Sequence, residues 1–526
     1  MAKTNQKKVA VKAMDKRNLK YGSLSVTITV VFVALVIILN IIATSLSAVH
    51  GWYTDMTASG YYSLSDEFIE EMDKLVHPET GEKVYINIVL LAEEDIFRNY
   101  NDMTYMLHQT FQELTSHYDN INMVAYNTTI HPEIAEKYKT TALETLALDD
   151  VIFELCDENG TALLNVPAKK YTARSFFMIN SDTNAYAGYN AETKLLSAVA
   201  LLTGKAEKPT AYYLQGHGEP TLEEAGDWVE VLELAGFNVK DINLSTENFD
   251  KSSGDDIVII NCPKFDLIHT TEISEINKLR TFLGTDYGNV VVVEDASVPK
   301  LPGLEGFLSE CGLGFGGSVT DNQHSVSGSG ASKLMADYTQ TYNPNAESKT
   351  MATQILGKLF GSKTNNLPTT IFSTPKEVKI FDPKGVVTGI NSSASTFAML
   401  QSYSTAQVRV SDTETVQGSV PLLGVSRIVW DVNTDEIGYV VALGSSDFLS
   451  SEYESSCANR NIMLELLRLM WDNTIYYDNI DYKSFDDNAL TVSTAQSNTW
   501  TIMCVAVIPM AIGICGVVVY VRRRHS

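Results

Sequence analysis

The apolar positions of this chain are grouped in distinct ways. Two runs are long and free of charge: residues 24–48, whose core reads TITVVFVALVIILNII, and residues 500–521. At 1.5 Å per residue, each is long enough as a helix to cross a hydrocarbon layer of ~30 Å. Between them the apolar residues recur in short blocks of two sorts. Some keep helical spacing, as Phe68, Met72 and Leu75 do after the start signal Ser65, Asp66, Glu67. Others, such as KVYINIVLL, DDIVIIN and NVVVVED, are compact β-rich runs that predict buried strands.

These blocks divide the chain. Residues 1–22 form a basic tail, 23–48 a first transmembrane helix and 49–80 a juxtamembrane segment containing Trp52 and several tyrosines. Over 81–205 the order is strand, helix, strand, short helix and hairpin, with the turn at Asp157-Glu158-Asn159-Gly160. That order resembles a thioredoxin-like module without its CxxC pair. A helix over 190–203 closes at Gly204. The second domain, 206–475, opens with PTAYYLQ and alternates helices (TLEEAGDWVEVLELAG, TTEISEINKLRTFLG) with fully apolar strands. Such strands predict a parallel sheet covered on both faces, of flavodoxin or amidotransferase type. Residues 313–345, rich in Gly, Ser and Asn, read as a long loop or insertion. Residues 346–360 read as a helix, and EIGYVVALGSSDFLS followed by NRNIMLELLRLMW returns to strand and helix. Residues 476–498 read as a polar stalk, 499–521 as a second transmembrane helix and 522–526 as a basic tail. The expected fold is therefore an α/β ectodomain, a thioredoxin-like module plus a larger parallel-sheet domain, flanked by two transmembrane helices.

Charge adds a direction to that layout. The formal net charge is −25, but residues 1–20 carry +6 and Arg522 to Arg524 carry +3, which leaves −34 for the rest. Basic flanks at both ends satisfy the positive-inside rule. Both termini are then expected in the cytoplasm of a bacterial plasma membrane, with residues from about 49 to 498 outside it. The first span is longer than the ~7–15-residue apolar core of a signal peptide, which favours an uncleaved anchor. An acidic body argues against nucleic acid as a partner. The six cysteines include no CxxC or zinc spacing, so no redox pair, metal site or cofactor is expected. Cys262, behind the run IVIIN, reads as core.

The sharpest motif is Gly216-His217-Gly218-Glu219-Pro220, at the carboxyl end of the first strand of the second domain. That edge holds ligands in open α/β sheets. His217 and Glu219 suit a ligand-binding or acid/base pair, or else a tight turn whose side chains bond to nearby loops. Asp295 and Asp447 also follow predicted strands and are placed at the same edge. A nucleophile elbow of the type G-x-S/C-x-G is missing; Gly444-Ser445-Ser446-Asp447 comes nearest but also reads as an ordinary helix start. The run GKLFGSKT at 357–364 imitates a phosphate loop but has the wrong spacing. No catalytic, cofactor-binding or metal residue is assigned. Gly216, His217, Gly218, Glu219, Asp295 and Asp447 are candidates for ligand or partner binding.

Taken in order, WYTDMTASGYYSLSDE, AYYLQGHGEPTL, DDIVIINCPKFDL, VVALGSSDFL and the terminal VYVRRR resemble the GldG-type auxiliary components of ABC transport systems, a family named from gliding motility. The domain around the GHGE loop also resembles one shared with an intraflagellar-transport protein that binds partners. The resemblance implies a non-enzymatic, membrane-anchored subunit, its extracytoplasmic part working beside an ABC permease and a cytoplasmic ATPase on an unknown substrate. Two alternatives stand beside it. One is an extracytoplasmic hydrolase using His217 and Glu219 with Asp295 or Asp447; the other is a polysaccharide- or peptide-binding sensor.

Overall fold

The computed structural model describes residues 30–32, 34–35, 37–38, 60–77, 83–141, 143–179, 185–249, 254–271, 273–346, 350–361, 363–383, 393–431, 436–453, 456–475, 477 and 479–485. Within them lie two packed α/β bodies. The first opens on the helix Asp66–Val76. Ser65 caps it by accepting from the Phe68 amide at 3.2 Å, and Phe68, Met72, Leu75 and Val76 form its buried face. Strands β1 (Tyr85–Leu90), β2 (Ile121–Ala125), β3 (Asp150–Cys156) and β4 (Lys169–Thr172) make a sheet in the order β2-β1-β3-β4. Only the β1/β2 pair is parallel. The helix Asp102–His117 is started by a reciprocal Asn101–Thr104 capping box and packs Leu107, Phe111 and Leu114 into the same core. Strands β5 (Phe177–Ile179) and β6 (Tyr186–Tyr189) form a small antiparallel pair beside it.

The helix Ala191–Leu202 is buried along its whole length, as expected of an element packed from several sides. Its residues contribute to the cores of both bodies. Lys194 pairs with Asp472 at 2.6 Å, and Ser197 exchanges hydrogen bonds with the Ile475 backbone. The chain leaving the second body is thus fastened to the first. Part of the predicted stalk continues this attachment. Lys483–Ser484 pairs with β6, and the Lys483 ammonium reaches Glu192 at 2.8 Å. Glu192 also accepts from the amide and hydroxyl of Ser65.

The second body is built on nine strands. They are β7 (Thr210–Leu214), β8 (Asn238–Ile242), β9 (Ile257–Asn261), β10 (Asn289–Val293), and, past β11 (Leu313–Thr320), β12 (Lys333–Asp337) and β13 (Ile371–Ser373). Past β14 (Lys376–Ile380) comes β15 (Ser393–Ser402), and past β16 (Gln407–Arg409) and β17 (Thr415–Gln417) come β18 (Pro421–Asp431) and β19 (Glu436–Leu443). The order is β13-β12-β15-β18-β19-β10-β9-β7-β8. From β8 to β19 every pair is parallel, and from β19 to β13 every pair is antiparallel. A second sheet, β14-β11-β16-β17, is wholly antiparallel.

The expected fold is corrected in three places. The large domain is mixed, not a parallel sheet. Its parallel half holds the fully buried apolar strands β9 and β10 and ends on the polar, largely exposed edge strand β8, whereas β18 runs back against β19 as its antiparallel neighbour. The stretch 313–345 is not one loop, because it contains β11 and β12. The two flanking transmembrane helices are also not supported: among the described residues no helix is long and apolar enough to cross a membrane. The helix Asp102–His117 has 16 residues, which at 1.5 Å each spans about 24 Å, and it carries polar residues throughout. Residues 499–521 and most of 23–48 lie outside the described residues. The run imitating a phosphate loop falls on the end of the helix Met351–Phe360.

Candidate functional site

Strand β7 sends the chain into the GHGE loop at the carboxyl edge of the sheet. β8 lies on one side of β7 and β9 on the other, so the connections diverge between β7 and β9. That point is where open α/β sheets form a crevice. Two glycines make the loop possible. Gly216 has φ +112°, and a Cβ there would stand 2.9 Å from Asn243 Nδ2. Gly218 has φ +84°, with Lys264 Cβ 3.0 Å from the same imagined atom. The loop is tied across the crevice, since the His217 carbonyl accepts from the amides of Lys264 (2.6 Å) and Phe265 (2.9 Å).

His217 is 4 % exposed and lies between two buried carboxylates. Its Nε2 is 2.9 Å from Glu275 Oε2, and its Nδ1 is 3.4 Å from Glu219 Oε1. Glu275 begins the helix Glu275–Gly284, where the helix dipole favours an anion, and it also accepts from the Ile268 amide at 2.6 Å. Glu219 accepts from the His217 amide at 2.8 Å. Burial on its own opposes a charge on the ring, but the two flanking carboxylates outweigh it and hold the pKa up to about 9. Near neutral pH the ring is therefore an imidazolium that clamps loop to helix, and it is not available as a general base.

Beside the clamp lies a cleft of about 560 Å³. Glu219, Glu224, Asp227, Asp295 and Asp447 line it, with Lys264 as the one cation among its lining residues. Asp295 is held by Ser297, whose amide and hydroxyl donate at 2.8 and 2.6 Å, and by the Ser446 hydroxyl at 2.6 Å. Burial pushes its pKa up, but these donors prevail and keep it below the usual carboxylate range. Three buried polar atoms on lining residues have no hydrogen-bond partner: Glu219 Oε1, Asn261 Oδ1 and Trp228 Nε1.

Nucleophiles are present but not armed. Cys262 follows β9 with φ +52°, the kind of strained backbone that a nucleophile elbow uses. Burial, however, pushes its thiol up to about 12. Ser446 gives its hydroxyl to Asp295. The histidine of this edge is already committed to two carboxylates, so it activates neither. Among the described residues no group of three or more His, Cys, Asp or Glu is placed to hold a metal ion.

The structure thus brings Gly218, Glu219, Asp295 and Asp447 to one cleft. Gly216 and His217 do not line it; they shape and lock the loop above it. Sequence reasoning missed Glu275, the partner 58 residues away, because Ser-Glu before an apolar helix reads as an ordinary start signal. It also missed Asn261 and Lys264, which flank Cys262 with no motif of their own.

No protein-family model and no curated protein matches the chain. Among solved structures it is similar to a putative ThuA-like protein from Parabacteroides merdae, at 12 % identity over 52 % of this chain and 93 % of that one, with a TM-score of 0.25. At that score the likeness carries no argument about fold or function.

Proposed function

We propose that this protein is a non-enzymatic auxiliary subunit of an ABC-type transport complex, which contacts a partner or substrate through the cleft between the β7 and β9 loops. The non-enzymatic part rests on His217. A hydrolase built on the GHGE loop needs a neutral imidazole facing its substrate, whereas this ring is buried, charged and flanked by a carboxylate on each side. The auxiliary role rests on the ordered set of sequence motifs from YYSLSDE through QGHGEP to LGSSDF, which resembles the GldG type. Recovery of the tagged full chain from its native host in mild detergent tests the reading. A permease and an ATPase are expected to copurify; repeated recovery of the chain with neither overturns the transport assignment.

A further inference from the structure

We propose that the cleft binds an organic polycation, a ligand whose ammonium or guanidinium groups are spaced along a flexible chain. This rests on the cleft being a binding site and is independent of any transport complex. The first observation is charge. Glu224, Asp227, Asp295 and Asp447 add to Glu219 on the walls, against the single ammonium of Lys264, which donates to Ser297 Oγ at 3.1 Å. Phosphates, nucleotides and carboxylates meet net repulsion there, and cations are drawn in.

The second observation is independent of the acidic side chains. Asn261 is 4 % exposed and lies at the carboxyl end of β9. Its Nδ2 donates to the Tyr213 hydroxyl at 2.8 Å, which leaves the buried Oδ1 as an acceptor without a donor. Glu219 Oε1 faces His217 Nδ1 at 3.4 Å, so Asn261 Oδ1 is the orphaned acceptor among the cleft's lining residues that no protein cation faces. Buried acceptors without partners are rare in native proteins and point to a donor that arrives from outside. The walls therefore ask for a ligand rich in N–H groups.

The third observation sets the spacing of the charges. Among the described residues no three potential ligands converge on one metal position. The carboxylates are distributed around about 560 Å³, a volume in the ordinary range for small-molecule sites. Distributed negative charge matches distributed positive charge, not a point ion.

Two sources share this chemistry: a free polyamine, and a lysine- or arginine-rich segment of a partner. Calorimetry on the full chain at constant ionic strength separates them, using spermidine and a tetralysine peptide as probes and Mg²⁺ as competitor. Saturable one-to-one binding is expected, weakened at least tenfold in the Asp227→Asn/Asp447→Asn double variant. Asp412→Asn removes the same kind of charge from an exposed carboxylate paired with Arg409, away from the cleft lining, and is expected to leave binding unchanged. Spermidine binding supports a free ligand; binding of the peptide alone supports a partner's side chains. Binding of neither probe overturns the proposal. So does equal weakening by Asp412→Asn, or full displacement by equimolar Mg²⁺, because either shows nonspecific screening. Circular dichroism of each variant confirms that it is folded. Copurification of a permease is unaffected by these outcomes, so the two readings fail separately.

Discussion

Two groups of charges sit side by side at the carboxyl edge of the large sheet, and they are built in opposite ways. In the clamp, one imidazolium is enclosed by two buried carboxylates, each of which also accepts from a backbone amide. In the cleft, five carboxylates face a single lysine and polar atoms are left without partners. Buried charge is tolerated when it is matched on the spot. On the proposed reading the clamp is structural and the cleft is the place for contact.

The contrast breaks most sharply at His217. His217→Ala leaves Glu219 and Glu275 buried without their cation, and a loss of about 3–5 kcal/mol in unfolding free energy is expected. Urea titration of both chains measures it. The same group carries a pH signature. Its pKa in the fold, about 9, lies above the ordinary 6.5, so its contribution is complete below about pH 6.5 and is lost as pH rises through 9. The stability gap between the protein and His217→Gln is therefore expected to narrow over that window. A smaller effect is expected at Gly216, where an alanine meets both a left-handed backbone and Asn243; Gly216→Ala costs about 1–3 kcal/mol by thermal unfolding. On the cleft side the effect on stability nearly vanishes. Asp447→Asn, at an exposed position, is expected to change stability by no more than about 0.5 kcal/mol while weakening spermidine binding in calorimetry.

The centre of the parallel half was legible because β9 and β10 are buried on both faces and write unbroken apolar runs. The helix Gly226–Ala235 was legible in its body and its left-handed stop at Gly236, though its start lies five residues after the expected Thr221. The antiparallel half was not. β11 reads LGFGGSVT, the composition of a loop, yet its glycines are demanded by packing. A Cβ on Gly316 would lie 2.0 Å from Glu377 Oε2, and one on Gly317 would lie 1.8 Å from the Arg409 carbonyl. The strand is bulged between Phe315 and Ser318, pairs again with β14 at Ser318 and then meets β16 at Val319. Close approach of three chain segments is a tertiary fact that no local pattern announces. The site divides in the same way. The GHGE loop announced itself through two glycines around a histidine, and Asp295 and Asp447 through their positions after strands. Glu275 and Asn261 did not, because what gives them meaning is a partner, or the lack of one, far along the chain.

The central claim is that His217 is a charged clamp and not a base. The most direct test is an ¹⁵N NMR titration of the full chain labelled at histidine, with the His217 signals identified by their loss in His217→Gln. The account predicts both ring nitrogens protonated at pH 7 and a midpoint near 9. A neutral ring at pH 7, with one unprotonated nitrogen and a midpoint at or below 6.5, would contradict it and return the GHGE loop to the candidates for acid–base catalysis.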